Sequence, residues 1–239
     1  AGFDASGSLL TGKPISVDKI SDTSPEKDNP SLNYGRVAYD EAAGVRVSKV
    51  NRDGNDIKLF ANSLTGAGKQ EKMPFITPDG KWIVYVAGTN NNSKQLYAKQ
   101  ITKGSGDTSV SISVPGVTNA EDPIVSPDMS TLVFVDKTSS GTYIKKVGVL
   151  FDADADTVTV IGNVQTLGGN TGLFNDKNPR FSPDGSKIIF VSDRDSSNKI
   201  YTMDAATGLG VALFPLPTSV TNPAYPVYSP LNDGSIAFV

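Results

Sequence analysis

One phrase recurs along this chain and constrains its fold more than any other feature of the sequence. The clearest copy is FSPDGSKIIFVSD at residues 181–193, and variants start at Phe75, Ile124 and Val227. A proline stands one or two residues before each copy, and a weaker fifth copy follows another proline. These marker prolines are Pro30, Pro74, Pro123, Pro179 and Pro226. Repetition at intervals of 44 to 56 residues is typical of solenoids and propellers.

Each copy predicts a strand, a tight turn and a second strand. Proline presets the first φ of the turn, Asp bonds back to the backbone, and Gly accepts a positive φ. The run after the turn, such as residues 188–191, is β-branched and aromatic, which suits a buried strand. Third and fourth strands follow, as in KIYTMDAATG (199–208) and VALF (211–214). We therefore predict an all-β chain, a β-propeller of four-stranded antiparallel blades.

The spacing predicts five blades, with the last blade closed by both termini. The path from Pro226 through the chain ends to Pro30 is 43 residues, one blade length. Closure of the ring would remove two exposed sheet edges. The alternative is a fragment of a longer array. The predicted single domain, 1–239, has blades at about 28–66, 70–116, 119–168, 175–219, and 222–239 joined with 1–15.

Composition excludes several classes of function. The sequence has no cysteine and no histidine, so disulfides, thiol nucleophiles, the usual zinc sites and Ser-His-Asp triads are excluded. With 22 basic and 25 acidic residues and no basic block, nucleic acid is not an expected partner. No apolar run is long enough to predict a membrane span. The lack of cysteine and the start at Ala1 favour a processed, exported bacterial segment, located in the periplasm, on the cell surface or secreted.

The repeat resembles the TolB-type propeller repeat, also called the WD40-like or PD40 repeat. Residues 179–192 match its pattern Pro-x-Phe-Ser-Pro-Asp-Gly-x-x-Ile-x-Phe-x-Ser almost in full. The match is good from Pro74, fair from Pro123 and Pro226, and poor from Pro30. The resemblance implies a periplasmic or surface-exposed protein that binds a protein or peptide at one mouth of its channel. It does not carry over the specific role of TolB, whose additional blade and N-terminal domain are not visible here.

Residues beside the marker prolines are predicted to ring one mouth of the channel, because the strands that start there should be innermost. A concave mouth with convergent polar groups is a binding site by default. The alternative is that these residues are solvated turn residues whose side chains bond free backbone N–H groups. The predicted binding residues are Asn29, Lys72, Glu121, Asp122, Asn178, Arg180 and Tyr225.

Two further stretches are candidate sites. FDADADT at 151–157 places Asp152, Asp154 and Asp156 at alternate positions, where their oxygens could converge on calcium. The glycine and distal Glu of an EF-hand loop are missing, so a solvated hairpin tip is the alternative. No other cofactor is predicted. In the loop 162–177, Leu173 and Phe174 either form an apolar anchor for a partner or tuck under the sheet.

Two features of the repeat are predicted to be structural. The Asp that recurs once per copy lies on a ring and cannot converge in one cleft, so a catalytic role is not expected. These residues are Asp79, Asp128, Asp184 and Asp233. Trp82 occupies a slot that Leu132, Ile188 and Ile236 fill in other copies, so packing between blades is expected.

The predicted function is a non-catalytic binding scaffold that engages a protein or peptide at the channel mouth or through its loops. The first alternative is a carbohydrate-binding or glycoside-hydrolysing propeller, with Glu71, Glu121 or Asp122 as carboxylates. That chemistry requires two carboxylates about 5–10 Å apart in a cleft. The second alternative is a structural cell-surface or assembly subunit. The sequence leaves the partner and the oligomeric state open, and it predicts no catalytic residue.

Overall fold

The computed structural model describes residues 28–33, 36–41, 44–50, 56–58, 70–101, 109–170, 174–231 and 233–239. The regular secondary structure of these residues consists of β-strands, and all pairing within the sheets is antiparallel. No helix in the described ranges is long and apolar enough to cross a membrane. Four four-stranded sheets and one hairpin follow each other along the chain. This confirms the predicted all-β fold of four-stranded blades.

The strands of each sheet are consecutive in the chain. The first sheet contains β1 (Asp28–Asn33), β2 (Arg36–Glu41), β3 (Gly44–Val50) and β4 (Asp56–Lys58). The second contains β5 (Gln70–Ile76), β6 (Trp82–Gly88), β7 (Gln95–Gln100) and β8 (Val110–Ile112). The third contains β9 (Ala120–Val125), β10 (Thr131–Thr138), β11 (Gly141–Asp152) and β12 (Thr157–Thr166).

The fourth sheet contains β13 (Asp176–Phe181), β14 (Lys187–Ser192), β15 (Lys199–Asp204) and β16 (Ala212–Leu213). The terminal hairpin pairs β17 (Val227–Tyr228) with β18 (Ile236–Ala237). This hairpin corresponds to the first half of the predicted fifth blade. Residues 1–15, which were predicted to complete that blade, lie outside the described residues. The five-bladed closure and the blade boundaries therefore stay predictions.

The recurring Asp fixes the turn between the first and second strands. In the second sheet the carboxylate of Asp79 accepts hydrogen bonds from the Thr77 hydroxyl at 2.6 Å and from the Lys81 N–H at 3.0 Å. The Asp carboxylate thus accepts a hydrogen bond from the backbone N–H two residues later, which stabilises the turn. The same contact to the backbone is made by Asp128, Asp184 and Asp233. The structural interpretation of these four residues is confirmed.

The second strands carry most of the core and pack the sheets against one another. Every residue of β6 is buried, since this strand lies inside its sheet and both of its faces are covered. The Trp82 ring lies 5.6 Å from the ring of Phe151 in the third sheet, so its predicted packing between blades is confirmed. One apolar cluster joins the second and third sheets, and another joins the third and fourth.

The first strands of the sheets form the inner side of this arrangement. β1 contacts β5, β5 contacts β9, β9 contacts β13, and β13 contacts β17. The second, third and fourth strands of each sheet then follow in order away from that inner row. The space beside the first strands is thus bordered by successive sheets, as in the central channel of a propeller.

Candidate binding site in the channel

A β-bulge interrupts each of the first strands β1, β5, β9 and β13 at its marker proline. The pairing register shifts between Lys72 and Phe75 in β5, and between Lys177 and Arg180 in β13. The pairing of β1 and of β9 shifts at the corresponding place. Proline has no N–H to donate, so the ladder cannot run through it without interruption. The repeated proline is therefore the local cause of the repeated bulge.

The residue just before the proline adopts a positive φ in four copies. The φ values of Met73, Asp122, Asn178 and Tyr225 are 54°, 46°, 51° and 51°. A residue before proline prefers an extended backbone, and a left-handed non-glycine residue costs about 1–3 kcal/mol. Because the same strain recurs in successive blades, it belongs to the repeat rather than to one active centre. We call these four residues the bulge row.

Members of the bulge row contact the preceding sheet. The Asp122 N–H donates to the Met73 sulfur at 3.3 Å. The N–H and Nδ2 of Asn178 donate to Oδ2 of Asp122 at 3.3 Å and 2.9 Å. Because of the bulge, the N–H groups of Asp122 and Asn178 do not pair within their own sheet, and the neighbouring sheet supplies the acceptor. The strained backbone thus supplies a bond between neighbouring blades.

Asp122 is a buried carboxyl whose charge is only partly compensated. Burial raises its pKa, and this effect outweighs the opposing influence of Arg180 and of the two bonds from Asn178. Its neighbour Glu121 forms an ion pair of 3.0 Å with Lys94, which directly precedes β7 of the second sheet. Both carboxylates therefore hold blades together.

A cavity of about 430 Å³ lies between the first strands on the far side of the marker prolines. Its walls come from β5, β9, β13 and β17, and from the turn prolines after them. Residues that follow the marker prolines line it, including Phe75, Ile124, Val125, Arg180, Phe181 and Tyr228. The cavity is therefore a section of the channel with mostly apolar walls.

Arg180 is the charged residue among those that line this cavity. The equivalent positions after the other marker prolines hold Ser31, Phe75, Ile124 and Val227, so the cation is specific to one blade. Nη1 of Arg180 donates to the carbonyl of Pro179 at 2.7 Å. Burial lowers the pKa of the guanidinium, although Asp122 opposes the shift, and an arginine remains cationic at neutral pH.

Tyr228 is an aromatic residue that also lines the cavity. Its ring is half-buried, but its hydroxyl is fully buried and has no hydrogen-bond partner among the described residues. Burial also raises the pKa of this hydroxyl, which keeps it protonated and able to donate. A buried hydroxyl without a partner is uncommon and calls for an explanation.

The predicted mouth residues separate into different environments. Asp122 and Asn178 are buried and bind each other, Arg180 lines the cavity, and Tyr225 is 49% exposed. The side chain of Asn29 lies outside the described residues. Lys72 lies one residue before the bulge row. In its sheet Met73, and not Lys72, is equivalent to Asp122 and Asn178. The signal that identifies Met73 is its position directly before a marker proline.

Phe174 lies against an arginine instead of projecting as an anchor. Arg194 pairs with the fully buried Asp176 at 3.1 Å. The guanidinium carbon of Arg194 lies 5.2, 5.3 and 4.9 Å from the ring centroids of Phe174, Phe190 and Tyr201. Phe174 therefore tucks onto the fourth sheet, whereas Leu173 lies outside the described residues.

The three aspartates of the hairpin between β11 and β12 have separate contacts. Oδ1 of Asp152 accepts bonds from the N–H groups of Asp154 and Ala155 at 3.0 and 2.9 Å. Oδ1 of Asp156 accepts a bond of 2.7 Å from Gln100 in the second sheet. Across the described ranges, no group of three acidic, histidine or cysteine side chains is placed to hold a metal ion. Calcium binding here stays a prediction.

No family profile and no curated protein matches this sequence, whereas several solved structures do. A protein of Agrobacterium tumefaciens described as TolB superposes with a TM-score of 0.67 and 17% identity, over 92% of this chain and 71% of that one. The fold is that of a TolB-like β-propeller. TolB of Acinetobacter baumannii matches this propeller with a TM-score of 0.53 and 23% identity, over 85% of this chain and 46% of its own.

A puromycin hydrolase structure also matches the TolB-like propeller. Its TM-score is 0.60 at 16% identity, and the match covers 95% of this chain but 45% of the hydrolase. This chain thus spans less than half of that protein and of Acinetobacter baumannii TolB. Identities this low establish the shared fold alone, because a common propeller carries many unrelated functions.

Proposed function

We propose that this propeller is a binding scaffold that engages a protein or peptide partner in its channel cavity, in an extracytoplasmic location. The observation that carries the proposal is the cavity of about 430 Å³ between four first strands, with apolar walls and one arginine. Binding sites commonly combine such walls with a few polar groups that fix orientation. The likeness to TolB supports a protein partner.

The surrounding blades make the cavity rigid. Its walls are strands within sheets, and the bonds from Asp122 to Met73 and from Asn178 to Asp122 connect three of those sheets. A preformed site loses little conformational entropy when a ligand enters. The strain in the bulge row is thereby linked to function, since it fixes the strands that carry the cavity walls.

The carboxylates considered for glycoside hydrolysis do not line the cavity. Glu71 is buried and accepts a bond from the Val45 N–H at 3.1 Å, whereas Glu121 pairs with Lys94. Asp122 accepts two bonds from Asn178. A glycosidase needs an acid and a second carboxylate on either side of its substrate. The contacts of these three residues favour binding over hydrolysis at this site.

Selection of peptides on the immobilised protein tests the proposal. We expect a displayed library of short random peptides to yield binders whose binding is lost on Tyr228→Ala, because that ring lines the cavity. Tyr143→Ala is the matched control, since Tyr143 is also half-buried and lies on β11 away from the cavity. Circular dichroism and urea unfolding would establish that both variants are folded.

Two outcomes would contradict the proposal. One is the absence of any peptide enriched over a bare support. The other is equal binding of the selected peptides to both tyrosine variants, which would place the binding surface outside the cavity.

A further inference from the structure

Arg180 differs from three other buried or half-buried basic residues, each of which has an ion-pair partner. Lys94 pairs with Glu121, Lys145 with Asp136, and Arg194 with Asp176, at 3.0, 2.6 and 3.1 Å. Arg180 forms no ion pair within the described part of the chain, where its hydrogen bond to the carbonyl of Pro179 is the only one recorded. The fold thus leaves one cation in the channel without an anion.

Asp122 does not fill that role. Neither oxygen of its carboxylate is hydrogen-bonded or ion-paired to Arg180; Oδ2 accepts the two bonds from Asn178, and the carboxylate acts on Arg180 only through the electrostatic field. A guanidinium has five N–H donors in a planar fork, and one contact to a carbonyl leaves most of them available. Partial burial makes those unpaired donors costly.

The shape and chemistry of the cavity define what could pair with the arginine. A planar fork matches a carboxylate through two parallel N–H···O bonds. Tyr228 also lines this cavity, and its buried hydroxyl has no partner among the described residues. The remaining walls, such as Phe75, Ile124 and Phe181, are apolar and favour an apolar group beside the anion.

We infer that the cavity binds a peptide segment in which a carboxylate lies next to a large apolar side chain, and that Arg180 pairs with that carboxylate. This inference rests on the proposed function and adds the chemistry of the ligand. The carboxylate has two possible sources, the C-terminus of the peptide or an acidic side chain.

Four small peptides distinguish these sources. Acetyl-Gly-Phe carries a C-terminal carboxylate, and its amide is the neutral match. Acetyl-Glu-Phe-amide carries a side-chain carboxylate, and acetyl-Gln-Phe-amide is its neutral match. Titration calorimetry with the full chain should show at least one carboxylate form binding about tenfold to hundredfold more tightly than its match, the range for a charge-assisted hydrogen bond.

Variants of the protein assign the preference to Arg180. Arg180→Gln should remove it, and Arg180→Lys should retain part of it, because a lysine keeps the charge but not the fork. Lys187→Gln is the control for loss of one positive charge, since Lys187 is exposed on β14. It should leave the preference unchanged.

The outcomes separate this inference from the proposed function. Equal binding of charged and neutral peptides, or a preference that survives Arg180→Gln, would overturn the inference and leave peptide binding intact. The same holds if none of the four peptides binds while selected library peptides do. If neither set binds, both the inference and the proposed function fail.

Discussion

Arg180 and Arg194 belong to the same blade, yet their surroundings are opposite. Arg194 pairs with the fully buried Asp176 and lies within 5.3 Å of three aromatic ring centroids. Arg180 donates to the carbonyl of its neighbour Pro179 and lines an apolar cavity. The first arginine has a directly paired anion and three aromatic rings around it, whereas the second forms no ion pair within the described residues.

The difference shows how a fold separates structural charge from charge that is available to a ligand. Burial of a cation is tolerated when an anion and hydrogen bonds accompany it, and removal of either member is then costly. A cation without an anion gives the folded state little, and its stabilising partner must come from outside. We therefore expect the two arginines to respond very differently to substitution.

The largest effect is expected from Arg194→Gln. This change leaves the carboxylate of Asp176, whose side chain is 0% exposed, without its cation, so the free energy of unfolding should fall by about 3–5 kcal/mol. Loss of the contacts with Phe174 and Tyr201 adds to the effect. Urea unfolding followed by circular dichroism would measure it.

The double variant Arg194→Gln/Asp176→Asn provides the control. Because it removes the uncompensated charge, it should be more stable than the single variant. A single variant within about 1 kcal/mol of the parent protein would contradict the structural role of Arg194.

A smaller effect is expected in the bulge row, from Asn178→Ala. The change removes the 2.9 Å bond from Nδ2 to Asp122 and leaves a buried acceptor with fewer donors, which should cost about 1–3 kcal/mol. Asn178→Gly loses the same bond but relieves the backbone at φ 51°. It should therefore be roughly 1 kcal/mol more stable than the alanine variant.

Urea midpoints of the two Asn178 variants make this comparison under identical conditions. A glycine variant no more stable than the alanine variant would argue against backbone strain at this position.

Arg180→Gln should change the free energy of unfolding by less than about 1 kcal/mol, because no carboxylate of the described residues is ion-paired with Arg180 and Asp122 is influenced by its charge without a direct contact. Urea unfolding of Arg180→Gln and Arg194→Gln under the same conditions would compare the two losses of stability directly. Losses of equal size would show that Arg180 is also structural, and would remove the main argument for a ligand anion.

The local parts of this structure could be predicted from sequence. The turn carboxylates bond to groups two residues away, as Asp79 does to Thr77 and Lys81, so a short phrase contains all the participants. The packing of Trp82 between sheets followed from its slot in the repeat. Repetition supplies the equivalent of an alignment within one chain, and that is why the blade architecture was accessible.

The backbone conformation of the bulge row and the contacts of the two arginines were harder to predict from the sequence. A residue before proline normally favours an extended backbone, so the general rule conceals the left-handed Met73 and Asn178. The partner of Arg194 lies 18 residues earlier, outside the repeated phrase, and the lack of an ion pair at Arg180 follows only from the folded structure. A useful signal was present nonetheless, since the position after the marker proline is apolar in three copies, serine in one and arginine in one.

The smallest effect concerns pH and the turn carboxylate Asp128. The Ser126 hydroxyl, with the N–H and hydroxyl of Ser130, lowers the pKa of Asp128 below its usual value near 4. The ionised form is therefore favoured by folding, and its contribution is present above that value and lost as the pH falls through the lower folded pKa. Asp128 is exposed, so solvent screening limits the contribution to less than about 1 kcal/mol.

Asp128→Asn tests this sign directly. The variant should be slightly less stable than the parent protein at neutral pH, and the difference should shrink as the pH falls below about 4. Unfolding in urea at a series of pH values would measure both proteins. Burial raises the pKa of the bulge-row residue Asp122 instead, so its contribution to stability should decline as the pH rises. A difference between the parent and Asp128→Asn that stayed constant with pH would mean that the turn does not favour the charged carboxylate.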